Sequence, residues 1–268
     1  MSFTVVTASD VGYFNLYGKY LVQSIEQRIS NRVQICIFIC DEKPLSMISN
    51  FNNYSERVRF IKVSSPKKDE LAEGAQFLYA ARFYNFAVQN RVPFPILYLD
   101  ADMFVRKDIS KFIKTLILDK IDVAFRLFED RNLAGPTSTE NGAKVNNGFQ
   151  FVNDTSIAHK FYQTVNGRLD DYVKRALPLI HRDGVSGQLT CVDQEFLYLA
   201  FLDFRDQLKF SDIPAQYNDS QFAFGSSIWH AKGVRKKHWL YLEQRDGSPF
   251  SIKAIIYWVY KSLQRFHG

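Results

Sequence analysis

Cysteine is scarce in this sequence, and the few cysteines present follow no C-x-x-C pattern. There are three, Cys36, Cys40 and Cys191, which is an odd number. Cys36 and Cys40 lie in the apolar run VQICIFIC, which is typical of a buried strand. We therefore expect reduced thiols in a hydrophobic core rather than a disulfide framework.

Long apolar runs, internal repeats and low-complexity segments are also missing. No run of about 18 apolar residues occurs, which argues against a membrane-spanning helix. The start MSFTVVTASD lacks the basic region and long apolar stretch of a signal peptide. The net charge of +6, from 34 basic and 28 acidic residues, suits an anionic ligand or membrane surface but is too small to indicate nucleic acid. We expect a soluble, cytoplasmic protein with no nucleic-acid partner.

Strand-like and helix-like segments alternate through the first hundred residues. Helical spacing covers Tyr17–Arg28 and Glu73–Asn90. Apolar runs typical of strands cover Phe3–Ala8, Val33–Cys40, Arg57–Val63 and Pro95–Leu99. This alternation predicts βαβ units and an α/β fold with a mostly parallel, Rossmann-like sheet flanked by helices.

The second half continues the same pattern less regularly. Strand character returns at Ile121–Leu127 and Val145–Asn153, and helical patterns follow at Ser156–Val165 and Gln194–Leu202. No linker-like composition divides the chain. We predict one domain over residues 1–240 with an amphipathic, basic extension over residues 241–268.

Two aspartates stand inside an apolar run at ILYLDADMFV. Asp100 and Asp102, separated by Ala101, follow the fourth predicted strand, and ligands of parallel sheets bind beyond the carboxyl ends of the strands. Carboxylates at i and i+2 of an extended segment point the same way, so both can reach one divalent cation. The alternative is that the two acids only cap the turn that follows.

His230 lies in SSIWHAKGVRKKHW, ahead of Gly233 and a basic cluster. An imidazole would complete a site with the two carboxylates, and the cations would face phosphate oxygens. Mixed carboxylate and imidazole ligands suit Mn²⁺, with Mg²⁺ as the alternative. A structural hydrogen bond for His230 and a solvated loop for the lysines remain open.

Polar residues at two further places carry both a structural and a functional interpretation. Asp193 begins a predicted helix and suits an N-cap, whereas the neutral amide of Gln194 gains little from a helix dipole. Asn146 and Asn147 beside Gly148 indicate a turn by default and a sugar contact by hypothesis.

Taken together, these features resemble glycosyltransferase family 8, the retaining, metal-dependent enzymes with a GT-A fold that use UDP-sugars. The motifs that carry the resemblance occur in the family's order between Thr4 and Trp239. They are TASD, YAARFYNFA, LYLDADMFV, NNGFQFVN followed by DQE, and HAKGVRKKHW. The resemblance implies transfer of a hexosyl unit from UDP-galactose or UDP-glucose to a glycan or other hydroxyl acceptor.

The resemblance also implies roles for individual residues. Asp100, Asp102 and His230 would bind the metal, and Arg82 would contact the donor phosphate or sugar. The uracil pocket would be formed by Ala8 and Asp10 with Tyr13 stacking nearby. The transferred sugar would be surrounded by Asn146, Asp193 and Gln194, and the diphosphate would be held by Gly233 and a lysine.

Two departures from the family pattern leave alternatives open. The family's usual lysine–proline–tryptophan is here Lys237–His238–Trp239, and it lies one residue further from His230 than in the family. Either Lys236 or Lys237 is therefore the phosphate lysine. Asn–Asn–Gly replaces the commoner Asn–small–Gly, so Asn146 is the better match and Asn147 stays open.

Two other functions use the same residues. A haloacid-dehalogenase phosphatase would use Asp100 as nucleophile and Asp102 as acid, but its motif has Thr or Val where this chain has Phe104, and it follows the first strand. The second rival is a non-catalytic protein of the same fold that binds carbohydrate or nucleotide.

The last segment, SIKAIIYWVYKSLQRF, has apolar residues at helical spacing and basic residues elsewhere. Such a helix lies on a membrane surface or packs on the domain. Peripheral membrane contact would suit a lipid-linked glycan acceptor.

Overall fold

The computed structural model describes residues 2–63, 80–128, 141–183, 192–247 and 251–266, with the backbone alone for 175–183 and 261–266. In this part of the chain, strands form a seven-stranded sheet and a separate two-stranded sheet. The strands are β1 (Thr4–Ser9), β2 (Gln34–Ile39), β3 (Val58–Lys62), β4 (Ile96–Leu99), β5 (Met103–Val105), β6 (Val123–Leu127), β7 (Val145–Val152), β8 (Phe210–Asp212) and β9 (Ile228–His230).

The large sheet has the order β3-β2-β1-β4-β7-β6-β8. Neighbouring strands are parallel except on either side of β7, which runs antiparallel to β4 and to β6. Because β7 is reversed, its first residues lie at the same edge as the carboxyl ends of β1 and β4. That edge is where parallel sheets bind ligands.

Helices pack on the large sheet and in a smaller core beside it. They are α1 (Lys19–Arg28), α2 (Phe83–Gln89), α3 (Ser110–Leu118), α4 (Ser156–Asp183), α5 (Val192–Phe204), α6 (Trp239–Arg245) and α7 (Ile252–Phe266). Helices α1 and α3 pack on one face, and α2, α4 and α5 pack on the other. Successive residues of β1 point to opposite faces of the sheet. Val5 lies in the core formed with α1 and α3, and Val6 lies in the core formed with α2, α4 and α5.

A smaller satellite core lies beside the sheet. It joins the two-stranded sheet of β5 and β9 to helices α6 and α7, and its central rings are Phe222, Trp229 and Trp258. Trp229 is fully buried, and the Trp258 indole N–H donates to the Phe222 carbonyl oxygen at 2.9 Å. The last helix is therefore packed on the domain through one of its faces.

The sequence predicted six of the sheet strands to within two residues at their ends. The helix predicted at Ser156–Val165 continues to Asp183, because Leu169 and Val173 extend its buried face past Gly167. In α2 the buried face is formed by Phe83, Tyr84, Phe86 and Ala87, whereas Val88 is 47% exposed. The first part of the predicted Glu73–Asn90 helix lies outside the described residues.

The remaining expectations concern thiols and membranes. Cys36 and Cys40 are free and buried, as predicted, and Cys191 falls outside the described residues. Among the helices that the structure describes, none combines the length and the apolar character needed to cross a bilayer.

Candidate functional site

The two aspartates, the glycine of Asn–Asn–Gly and the histidine meet at one sheet edge. Asp100 directly follows β4, and its backbone N–H donates to the Gly148 carbonyl oxygen of β7 at 2.8 Å. Strand β5 begins immediately after the aspartates, and Met103 pairs with His230 of β9. The antiparallel pairing of β5 and β9 thus brings a histidine more than a hundred residues away beside Asp102.

Three ligand-type atoms converge at this point. The His230 Nε2 atom lies 3.2 Å from Asp100 Oδ2 and 3.2 Å from Asp102 Oδ1. His230 is 1% exposed and Asp102 is 6% exposed, whereas Asp100 is half-buried. One side of the cluster is therefore enclosed by protein, and the Asp100 side remains accessible to a ligand.

Gly148 lies against this cluster because a side chain would not fit. An added Cβ atom would lie 2.3 Å from His230 Cε1 and 2.9 Å from Asp100 Oδ2, well inside van der Waals contact. Gly148 lies within the extended strand β7, so the prediction of a turn at Asn–Asn–Gly is wrong. Its function is to let the β7 backbone approach the imidazole closely.

Asp102 also receives two donors from elsewhere in the chain. The Tyr13 hydroxyl and the Lys236 ammonium each lie 2.9 Å from Asp102 Oδ2. The Lys236 Nζ atom is 4.8 Å from the Tyr13 ring centroid and 5.1 Å from that of Tyr17. Of the two lysines left open by the sequence, Lys236 therefore reaches the cluster, whereas Lys237 is exposed.

The charges of the cluster are mutually dependent. Burial by itself would raise the pKa of Asp102, but His230 and Lys236 outweigh it and hold that pKa below its usual range. Burial would lower the pKa of His230, but the Asp102 and Asp100 carboxylates outweigh it and raise that pKa. Each charge of the cluster therefore favours the charged form of its neighbour.

A divalent cation fits the same place. Two ligands at right angles, each about 2.1 Å from a cation, lie about 3.0 Å apart, close to the two 3.2 Å separations measured here. The three ligand atoms all lie within 4.8 Å of one another. Two carboxylates and one imidazole are also a donor set that suits Mn²⁺. The residues present therefore match a metal centre.

The residues predicted around the sugar form a second group next to the first. Asn147 donates a side-chain hydrogen bond to Asp193 of α5, and Asn146 Oδ1 accepts from the Gly148 N–H at 3.2 Å. Burial, reinforced by the Asp100 carboxylate, raises the pKa of Asp193. This electrostatic coupling connects the second group to the candidate metal ligands.

Gln194 is held by the backbone ahead of β7. With its amide nitrogen oriented toward them, the side chain donates to the carbonyl oxygens of Gly142, at 3.0 Å, and Val145. These bonds tie the start of α5 to the start of β7.

The predicted nucleotide residues lie in β1 and the segment after it, between the two aspartates, and in the turn that begins at Gly233. Ala8 is buried within β1, and Asp10 accepts a hydrogen bond from the Tyr13 N–H at 2.8 Å. Ala101 is buried in the turn between the two aspartates. Gly233, with a φ of +54°, starts the turn that carries Lys236, a conformation that favours glycine.

Arg82, which was predicted to contact the donor, has an ion-pair partner outside the candidate metal ligands. It lies directly before α2 and forms an ion pair with Asp170 of α4. Its described contacts include none with the candidate metal ligands. Its predicted role at the donor therefore stays a prediction.

Two polar side chains at the cluster were missed by sequence reasoning. The Tyr98 hydroxyl donates to Asp100 Oδ1 at 2.9 Å, and its position two residues before Asp100 on an extended segment was a usable signal. Asn218 Oδ1 lies 2.9 Å from His230 Nδ1. Nothing in the local sequence distinguishes Asn218 from an ordinary loop asparagine.

No family model matches the sequence, and no curated protein matches it. Solved structures do resemble it. The apo-form glycosyltransferase GlyE of Streptococcus pneumoniae TIGR4 is 19% identical, with a TM-score of 0.52 over 90% of this chain. The apo form of mouse xyloside xylosyltransferase 1 is 10% identical, with a TM-score of 0.50 over 87% of this chain and 98% of its own. The chain spans 60% of the GlyE chain.

This likeness concerns the fold. At such low identity it reports the architecture rather than the reaction. The mostly parallel sheet flanked by helices is the GT-A fold found in glycosyltransferases.

Proposed function

We propose that this protein is a metal-dependent retaining glycosyltransferase of the family 8 type that moves a hexosyl unit from a UDP-sugar to a hydroxyl acceptor. The observation that carries the proposal is the convergence of Asp100, Asp102 and His230 at the ligand-binding edge of a GT-A sheet. A lysine faces the same cluster, which suits an anionic diphosphate.

The proposed centre assigns separate tasks to the residues. Asp100, Asp102 and His230 would hold Mn²⁺, or Mg²⁺ in its place, and the bound cation supplies positive charge against the leaving UDP. Lys236 would transfer its ammonium contact from Asp102 to the diphosphate. Tyr13 would keep Asp102 oriented through its hydroxyl and offer its ring to the nucleotide.

The remaining residues would orient the donor. Ala8 and Asp10 would line the uracil pocket, Arg82 would contact phosphate or sugar, and Gly233 would bring backbone N–H groups to the diphosphate. Ala101 would contact the UDP-sugar donor, and the side chains of Asn146, Asn147 and Asp193 would line the sugar site.

Retention follows from attack on the same face of the sugar that UDP leaves. Gln194 would lie on the opposite face, where its amide oxygen is a weak nucleophile, and backbone carbonyls already hold its nitrogen. Same-face attack through an oxocarbenium-like state needs no covalent intermediate. We favour that route, with Gln194 and Asp193 stabilising the positive charge that develops on the sugar.

The function is tested first with the protein itself. We expect one of UDP-galactose, UDP-glucose, UDP-N-acetylglucosamine or UDP-N-acetylgalactosamine to be hydrolysed slowly with Mn²⁺ and not after chelation by EDTA. Calorimetry should also show that UDP binds only with Mn²⁺. Release of phosphate from an aryl phosphate would favour a phosphatase instead, and UDP binding without turnover would favour a non-catalytic binding protein.

The two lysines provide a matched pair within this experiment. Because Lys236 faces Asp102 and Lys237 is exposed, Lys236→Ala should weaken Mn²⁺-dependent UDP binding by about tenfold, the loss of one charged contact. Lys237→Ala should leave the affinity within about twofold of the wild type. Equal weakening by both substitutions would contradict the assignment.

We further propose that α7 binds anionic membrane surfaces, which suits a lipid-linked glycan acceptor. While Ala254 and Trp258 pack on the satellite core, Ile252, Ile255 and Ile256 are 76%, 54% and 63% exposed. The neighbouring turn presents the exposed cations Arg235 and Lys237, and its residue His238 contacts Tyr257 of α7. An apolar face beside basic groups matches an interfacial helix.

Vesicle sedimentation tests the membrane contact. Ile255→Gln combined with Ile256→Gln should reduce binding to vesicles containing about 30% anionic lipid by at least about tenfold, because both side chains would leave the acyl region. The control is Leu118→Gln, which changes an exposed apolar residue of α3. Substitution is preferable to truncation at Ser251, which removes Trp258 from the satellite core. Equal sedimentation of all three proteins would end the membrane proposal.

A further inference from the structure

We infer that Asn218 is a positioning residue that fixes the ring of His230 so that Nε2 faces the two aspartates. This inference rests on the proposed metal centre and adds a residue to it. Asn218 lies in the loop before β9 and contacts none of the acidic ligands directly in the described structure. It acts on the opposite nitrogen of the imidazole.

The hydrogen-bond pattern carries the argument. His230 Nδ1 lies 2.9 Å from Asn218 Oδ1, and Nε2 lies 3.2 Å from each aspartate. A carbonyl-type oxygen only accepts, so Nδ1 must carry the proton of this bond. Nε2 is then the nitrogen whose lone pair is directed at a cation between the carboxylates.

Asn218 is itself held rigidly relative to His230. The next residue, Asp219, accepts the His230 N–H through its carbonyl oxygen at 2.8 Å and donates its own N–H to Ile228 at 3.2 Å. Its carboxylate accepts from the Ala223 N–H at 2.6 Å and from the Ser226 hydroxyl at 2.7 Å. These hydrogen bonds attach the loop to β9, so the backbone of Asn218 is held in a fixed position relative to His230.

The burial of Asn218 needs an explanation that packing does not supply. The residue is 4% exposed, and among the described residues its Nδ2 atom has no hydrogen-bond partner. An apolar residue of similar size would avoid burying an unpaired polar group. The bond to His230 is the side chain's evident function.

Two substitutions test the inference with full-length protein. Asn218→Ala removes the acceptor and should weaken Mn²⁺ binding, measured by calorimetry, by 10- to 100-fold. Asn218→Asp restores an acceptor in the same place and should keep the affinity within about threefold of the wild type. The control Asn166→Ala removes another buried asparagine, 2% exposed in α4, and should leave metal affinity unchanged.

Nitrogen-15 NMR of the imidazole supplies a readout that a loss of stability would not move. With Cd²⁺ as a diamagnetic substitute for Mn²⁺, wild-type His230 should show a protected Nδ1–H and a metal-shifted Nε2. In Asn218→Ala the Nδ1 proton should exchange rapidly. In Asn166→Ala it should stay protected.

The outcomes separate this inference from the proposed function. Wild-type affinity in Asn218→Ala, or an Nε2–H tautomer in the metal-bound wild type, would overturn it. If the wild type binds no metal, the proposed function fails. In that case the inference is tested by the protection of the His230 Nδ1 proton from exchange in metal-free protein. If this protection persists in Asn218→Ala, the inference is overturned.

Discussion

Replacing Asp102 with asparagine should lower Mn²⁺-dependent turnover of the UDP-sugar by about 1,000-fold or more, the scale of losing a charge that stabilises a transition state. Asparagine keeps the size of the side chain but removes the charge that His230 and Lys236 both face. Asp102 is also 6% exposed, so no water replaces the missing ligand easily. Initial rates of UDP release, with the metal saturating, measure the effect.

Asp119→Asn is the matched control, because it neutralises an exposed aspartate at the end of α3. It should turn over the donor at the wild-type rate. A protein with Asp102→Asn that is folded, binds Mn²⁺ normally and keeps its rate would refute the proposed metal centre and with it the proposed function.

Substituting Gly148 with alanine should impair the same site sterically. The new methyl group would lie 2.6 Å from His230 Nδ1 and 2.9 Å from Asp100 Oδ2, so the ring, the carboxylate or the β7 backbone must move. We expect a loss of about 1–3 kcal/mol in the free energy of unfolding, typical of overpacking a core. Metal affinity should fall by at least about tenfold, since the displaced groups are its proposed ligands. Urea unfolding and calorimetry measure the two effects separately.

Gly167→Ala is the control for this change. Gly167 is exposed within α4, and an added Cβ atom meets nothing within 4 Å. It should stabilise the protein by about 0.5–1 kcal/mol through helix propensity and leave the metal site alone. If Gly148→Ala behaved like Gly167→Ala, the close approach of β7 to His230 would matter neither for stability nor for metal affinity.

Much of the sheet edge was predictable because its signals are local. Apolar runs of strand length ended at Ala8 and Leu99, and the acids that follow them lie at neighbouring positions because β1 pairs with β4. Spacing also indicated that Asp100 and Asp102 act together. These predictions need only the period of a strand and the rule for parallel sheets.

Contacts between distant segments were beyond this reasoning. The placement of His230 depends on the pairing of β5 with β9, two three-residue strands too short to give a periodic signal. Asn–Asn–Gly has the composition of a turn, and only the approach of β7 to the imidazole explains its glycine. The choice of Lys236 over Lys237 likewise depends on how one turn of the chain after Gly233 is oriented.

The satellite core has a consequence for how the site opens. The large sheet supplies Asp100 at the end of β4, whereas His230 belongs to β9, whose neighbour Trp229 packs against Phe222 and Trp258. The candidate ligands therefore span two cooperative units, and proteins open locally in such units at free energies below that of global unfolding. An excursion of the satellite core would withdraw His230 from Asp100, which stays at the end of β4. A bound cation would cross-link the two units and should suppress amide hydrogen exchange in α6, α7 and β9 together.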